Sequence, residues 1–220
     1  MGHTKEETQD LARLYAKQGD PDGWFEEFYA RAGGDIQKIY WADLQPNPML
    51  LTWLKQQRGG AGKKAVLVGC GLGDDAEVLA GNGYHVTAFD ISNSAIDMCR
   101  HRFPDSLVDY QIADLFNRPP SWRQSFDLVY ECNTVQILTG ANRNRAIQAI
   151  TDLVAVGGDL IVSCRSGQKN EDPGTFPVPL DRNEIDGFIR AGLIEAEFIS
   201  YDDDQTPPVP HYFAVYRRQL

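Results

Sequence analysis

The stretch Ala65-Val66-Leu67-Val68-Gly69-Cys70-Gly71-Leu72-Gly73-Asp74-Asp75-Ala76-Glu77-Val78-Leu79-Ala80 decides the fold of this chain. Ala65 to Val68 is short, apolar and partly β-branched, the pattern of a parallel strand covered on both faces. Gly69, Gly71 and Gly73 then permit a sharp turn and bring backbone N–H groups close to a ligand. Asp74 is placed to cap the helix that follows, and Glu77 three residues later completes a capping-box pattern. A strand, a glycine turn and a helix in this order make a ligand-binding unit of the nucleotide type, with the ligand at the strand's carboxyl end.

Three further strand ends extend the pattern. His85-Val86-Thr87-Ala88-Phe89-Asp90 reads as a second strand ending in an acid suited to a pair of ribose hydroxyls. Val108 to Phe116 gives a third, with Asp114 near its end, and Phe126 to Asn133 a fourth that closes on Glu131-Cys132-Asn133. Helices are expected at 74–82, 93–102, 141–155 and 181–191, stopped by Gly83, Pro104, Gly157 and Gly192. A fifth strand, Asp159 to Cys164, follows the Gly157-Gly158 turn. Leu193 to Tyr201 and Tyr212 to Tyr216 are joined by an acidic, proline-containing loop with no helix between them. Only a hairpin is that economical, so the last strand should run antiparallel.

The expected fold is α/β, a Rossmann-like doubly wound seven-stranded sheet with an antiparallel last strand and an N-terminal helical cap. Residues 1–60 form the cap, with stripes at Leu11, Leu14 and Tyr15 and at Trp24, Phe25, Phe28 and Tyr29, and a helix at Met49 to Leu54. Residues 61–220 form the rest of the same domain. Ligands of such sheets bind beyond the carboxyl ends of the parallel strands. The rim there should combine the cap with the loops Ser166 to Pro179 and Asp202 to His211.

A chain of 220 residues, 42% hydrophobic and 24% charged, is ample for one soluble core. Its net charge of -10 argues against general binding to nucleic acid or an anionic membrane. Arg143 with Arg145, and Arg217 with Arg218, read as solvated helix and strand ends. Cys70, Cys99, Cys132 and Cys164 show no metal-ligand spacing, so no metal site is expected and reduced thiols are the simplest account. Met1 to Glu6 carries no apolar run, no signal peptide or membrane span is visible, and a cytoplasmic protein is expected.

With these motifs in place, the chain resembles the class I S-adenosylmethionine-dependent methyltransferases over roughly Ala65 to Leu138. Within them it is most similar to the small-molecule branch of thiopurine and tellurite-resistance methyltransferases, on Ile39-Tyr40-Trp41-Ala42-Asp43, Pro46-Asn47-Pro48 and Tyr130 to Gln136. The resemblance implies S-adenosyl-L-methionine as cofactor, with Gly69, Cys70, Gly71 and Gly73 cradling its methionine part. Asp90 would hold the ribose, with Ile91 beside it, and Asp114 the adenine amino group, flanked by Ala113 and Leu115. Trp41 either folds over the cofactor or packs between cap and sheet.

Glu131 and Cys132 mark the methyl-transfer end. Glu131 holds the cofactor's amino group, orients a substrate, or is a strand-end carboxylate open to solvent. Gln136 and Asn133 orient the acceptor or cap the next helix, and His211 is a candidate base without a visible partner. Glu131, Gln136 and His211 are therefore the catalytic candidates. The Asn/Asp-Pro-Pro-aromatic clamp of enzymes that methylate base or glutamine amino groups is absent. A small-molecule acceptor, with a thiol or other soft nucleophile favoured, and a monomer or homodimer are the expectations. A nicotinamide-dependent oxidoreductase, an aminopropyl-transferring relative and a non-catalytic binding subunit are the alternatives. Asp74 and Asp75, standing where a diphosphate would approach, argue against the first.

Overall fold

The computed structural model describes residues 5–20, 22–138, 140–167 and 177–219. Residues 168–176, most of the Gly- and Pro-rich rim segment, lie outside the described residues, as do residues 1–4 of the N-terminal reading. Helices α1 (Lys5–Lys17), α2 (Trp24–Ala32) and α3 (Pro48–Gln56) precede the alternating part. There follow β1 (Lys64–Val68), α4 (Asp74–Gly81), β2 (His85–Asp90), α5 (Asn93–Arg102), β3 (Asp109–Ile112), β4 (Phe126–Cys132), α6 (Gly140–Thr151) and β5 (Val154–Arg165). Two short helices, α7 (Arg182–Ile185) and α8 (Gly187–Arg190), lead to β6 (Ile194–Asp202) and β7 (Pro210–Arg217).

One seven-stranded sheet forms in the order β3-β2-β1-β4-β5-β7-β6. Strands β1 to β5 pair in parallel, and β7 runs antiparallel to both β5 and β6. The alternation along each strand splits the core in two. Val66, Val129, Leu160 and Val162 face α6, α7 and α8, while Ala65, Leu67, Leu128 and Ile161 face α3, α4 and α5. Helix α3 therefore belongs to a sheet-covering layer. Helices α1 and α2 form the cap proper, whose Leu11, Trp24, Phe28 and Tyr29 pack on Leu72, Ala95 and Met98 at the carboxyl edge.

The sheet bears out the fold read from sequence, but four local expectations change. Gly73, at φ 87°, takes the N-cap position of α4 and displaces Asp74 into the first turn. Asp74 accepts two hydrogen bonds of 2.8 Å from Arg102, and Glu77 accepts from Tyr110 Oη at 2.7 Å, so no capping box forms. The third strand ends at Ile112, because Asp114 caps a 3₁₀ turn and accepts the Phe116 N–H at 2.8 Å. The helix expected at 181–191 breaks into α7 and α8; Gly187, which opens α8, sits so close that a Cβ would meet Ile147 at 2.9 Å.

The helix expected at 141–155 stops at Thr151, and Gly157-Gly158 lie inside β5 as a bulge where the register with β4 shifts. A Cβ on Gly158 would lie 3.0 to 3.1 Å from the carbonyl oxygens of Ala155, Phe126 and Asp127. All three are backbone atoms and cannot swing aside. Gly158→Ala is therefore expected to destabilise the protein by about 1–3 kcal/mol in urea denaturation; an unchanged midpoint would contradict this account of the bulge.

Candidate functional site

The tips of β1, β2 and β4 are drawn together by backbone donors. Gly69, Gly71 and Gly73 have φ of 61°, 53° and 87°, a left-handed path that side chains resist. This path aims the Gly71 N–H at Asp90 Oδ2 (3.0 Å), while Oδ1 accepts the Ser92 N–H (3.0 Å). Thr134 after β4 donates its hydroxyl to Val68 O at 3.1 Å and fills the space a Cβ on Gly69 would occupy. Cys70 and Cys99 are buried beneath the turn, and the Cys99 thiol donates to Gly71 O at 3.1 Å. Asp90 is 7% exposed, and burial raises its carboxyl to about 6 against the pull of the Ser92 and Gly71 N–H groups.

The cap lies directly across this cradle. Glu26 of α2 accepts the Ser92 hydroxyl (2.8 Å), the Ser94 N–H (3.0 Å) and the Ser94 hydroxyl (2.7 Å) at the start of α5. Its desolvation, which raises the carboxyl, is overcome by these bonds, so Glu26 titrates below its usual range. Tyr29 Oη stands 3.3 Å from where a Cβ on Gly71 would be. Asp22 is raised by burial and next by the charge of Asp114. Trp41 stacks on Phe28 at 3.9 Å and meets Trp24 and Tyr29 edge-on. It packs in the aromatic cluster of the cap, whereas Ile91 is 41% exposed beside Asp90.

The third tip follows on. Ala113 donates its N–H to Asp90 O at 3.0 Å, Leu115 is buried, and one oxygen of Asp114 is committed to the Phe116 N–H.

The end beyond β4 departs from two of the sequence-based alternatives, a solvent-open Glu131 and a helix-capping Gln136. Glu131 is fully buried, not open to solvent. Its Oε1 accepts the Thr134 and Val135 N–H groups at 2.6 and 2.8 Å, and its Oε2 has no partner among the described residues. Burial lifts it to about 7, against both N–H bonds. Gln136 does not cap a helix; its Oε1 accepts the Arg165 N–H at 2.8 Å and ties β4's exit to β5's end. Asn133, at φ 62°, donates its N–H to Ser163 O. Cys132 touches Asn47, whose Nδ2 donates to Ser163 Oγ at 3.1 Å. Asn47 also caps α3 and donates its N–H to Asp75 Oδ1 at 2.7 Å, so neither Asp74 nor Asp75 stands free at the α4 N-terminus. Both carboxylates are engaged by Arg102 and Asn47, so they do not stand as a bar to a diphosphate.

His211 has company that the sequence did not show. Its Nδ1 lies 2.8 Å from Val209 O and 3.9 Å from Asp203 Oδ2, and its ring stacks on Tyr201 at 5.5 Å. A carbonyl only accepts, so Nδ1 is the donor of this bond. Arg143, read as a solvated helix end, is instead buried and bonds Leu138 O, Val178 O and Glu184. Glu26, Ser163, Tyr201 and Asp203 were not singled out from the sequence, and Asn47 and Arg165 were given no role there. They meet only through sheet pairing and cap docking, which leave no periodicity to read.

Residues 66–162 match the protein family described as a methyltransferase domain. The ubiquinone biosynthesis O-methyltransferase of Aromatoleum aromaticum is 31% identical over 119 residues, 53% of this chain and 50% of that protein. Its counterpart in Thiobacillus denitrificans is 35% identical over 85 residues, 38% of this chain and 37% of that protein. The chain thus spans half or less of the length of these curated relatives. Among solved structures, the N-methyltransferase NodS of Bradyrhizobium japonicum in complex with S-adenosyl-L-homocysteine superposes with TM-score 0.66 at 20% identity, over 97% of this chain and 98% of that one. The [4+2]-cyclase SpnF superposes with TM-score 0.64 at 14% identity, over 78% and 80%. These likenesses establish the class I methyltransferase fold.

Three carboxyls of the site, half-buried Asp75 and buried Asp90 and Glu131, are raised to about 6, 6 and 7, in each case first by desolvation. A raised folded value means that the native state holds the proton longer than the unfolded chain does. Their contribution to stability is full below about pH 4 and is lost as pH rises to about 7. Urea denaturation between pH 5 and 8 should show this fall, and Glu131→Gln should flatten its upper part; an unaltered slope in the variant would contradict the burial assigned to Glu131.

Proposed function

We propose that this chain, with a methyltransferase domain on the class I fold, transfers a methyl group from S-adenosyl-L-methionine to a hydroxyl of a small molecule. One observation carries the cofactor half of this reading: the acid at the tip of β2 is locked against the N–H of the glycine turn after β1. The residues fit such a ligand. The three left-handed glycines carry the turn past Thr134, Tyr29 and Tyr110 with no side chain of their own, Asp90 keeps an accepting lone pair on each oxygen for ribose hydroxyls, and exposed Ile91 offers an apolar face for a base. The unpartnered Glu131 Oε2 is a buried acceptor beneath the turn, suited to a cationic group. When bound, the sulfonium supplies an activated methyl and a neutral leaving group.

The protein's own part is alignment, exclusion of water and handling of one proton. Cap and glycine turn close over the cradle. His211, hydrogen-bonded through Nδ1, presents Nε2 to take the proton as the acceptor oxygen gains the methyl. The O-methyltransferase relatives favour oxygen as the accepting atom. A thiol or other soft nucleophile, as in thiopurine and tellurite-resistance enzymes, is the second reading. The 3.9 Å gap between His211 and Asp203 favours it, because a weakly supported imidazole suits an acceptor that ionises unaided.

Calorimetric titration with S-adenosylhomocysteine and with NAD tests the reading, followed by transfer of a labelled methyl group to paired phenol and thiol acceptors. Binding of the homocysteine compound alone is expected; binding of NAD alone would instead support an oxidoreductase. Because Glu26 latches α2 over the cradle, Glu26→Gln should speed S-adenosylhomocysteine association by about 10-fold. Stopped-flow fluorescence of Trp24 and Trp41 provides the signal, and an unchanged rate would mean that α2 does not gate entry.

A further inference from the structure

Arg165 ends β5 at the carboxyl edge and is the register partner of His211, which in turn pairs with Tyr201 of β6. Register partners on neighbouring strands project to the same face, so Arg165, His211 and Tyr201 form one row across the sheet. The Arg165 backbone is pinned on both sides: its N–H donates to Gln136 Oε1 at 2.8 Å and its carbonyl accepts the Leu180 N–H at 3.0 Å. The Arg165 charge also lowers the phenol of Tyr40 in the cap, which desolvation raises and Thr8 lowers.

The guanidinium itself has no carboxylate, carbonyl or ring partner among the described residues. Every other partly or fully buried arginine described here has one. Arg102 binds Asp74, Arg118 binds Leu115 O and Asp152, Arg143 binds Glu184, Arg182 binds Asp186 and Glu195, and Arg218 binds Thr151 O and Val154 O. In a chain with 31 acidic and 21 basic side chains, a half-buried arginine left unpaired is out of keeping with the rest. Withdrawing a charge without a partner is costly, which suits a position that a ligand anion completes.

We propose that Arg165 is the anion anchor of the acceptor cleft, and that the methyl acceptor carries a carboxylate separate from the group methylated. This rests on the reading above. A guanidinium fork matches a planar carboxylate with two parallel hydrogen bonds. Among the described residues no lysine or second arginine stands in the row, which suits a monoanion rather than a dianionic phosphate. With the carboxylate on Arg165, the accepting hydroxyl or thiol falls on the side of His211, one strand away.

The test uses the full chain and acceptors in isosteric pairs: hydroxybenzoates with hydroxybenzamides, and mercaptobenzoates with mercaptobenzamides. S-adenosylhomocysteine binding is measured first on each variant; its absence in the native protein would sink the cofactor reading instead. With binding intact, the acids are expected to be methylated with kcat/KM about 10- to 100-fold above the amides, mostly through KM. Arg165→Gln should remove that preference, and Arg165→Lys should restore part of it, with cofactor affinity unchanged in both. The proposal is overturned if acids and amides react alike, if Arg165→Gln keeps the preference, if phosphorylated isosteres are preferred, if the product is a methyl ester, or if neither class is methylated.

Discussion

The carboxylate of Asp90, buried between the Gly71 and Ser92 N–H groups, is the contact on which the site depends. It fixes the glycine turn after β1 to the end of β2 and the start of α5. Through Ser92 and Ser94 it also sets where Glu26, and so the cap, can dock. A charge withdrawn from water in this way persists only because main-chain donors face it. The same arrangement leaves each oxygen able to accept one more bond. On the proposed reading, structural lock and ligand contact are one group, with the cap's Glu26 carboxylate bonded to Ser92 and Ser94 beside it.

The architecture was legible because it follows from local pattern. Buried β-branched runs, the glycine turn and the stops at Gly83 and Gly192 set the alternation, and the helix-free stretch between Tyr201 and Tyr212 required the antiparallel end. What the sequence misled on were contacts between distant residues. Asp74 and Glu77 spell a capping box, yet Arg102 and Tyr110 compete for them and win. Gly157-Gly158 spell a turn, yet β5 passes through them as a bulge that only glycine fits. Arg143 spells a solvated helix face, but α7 and the segment before it close over it.

The two ends of the site were legible to different degrees for a related reason. The proposed cofactor end is encoded by residues at fixed places relative to strand ends, so spacing alone points to them. The proposed acceptor end draws on β5, β6, β7 and the cap, and its residues meet only by register. Asp203 and Arg165 approach His211 from opposite strands, and no short motif records that. The fold does not supply the missing chemistry either, since the same architecture carries a [4+2]-cyclase as well as N-methyltransferases.

The most direct measurement of the central claim is the affinity of Asp90→Asn for S-adenosylhomocysteine by isothermal titration, beside its unfolding midpoint in urea. The amide oxygen can still accept one N–H, so the turn should hold. Affinity should nonetheless fall by about 10- to 100-fold with the loss of a charged acceptor for the ribose. Undiminished affinity in a folded variant would contradict the assignment of this strand tip to the cofactor.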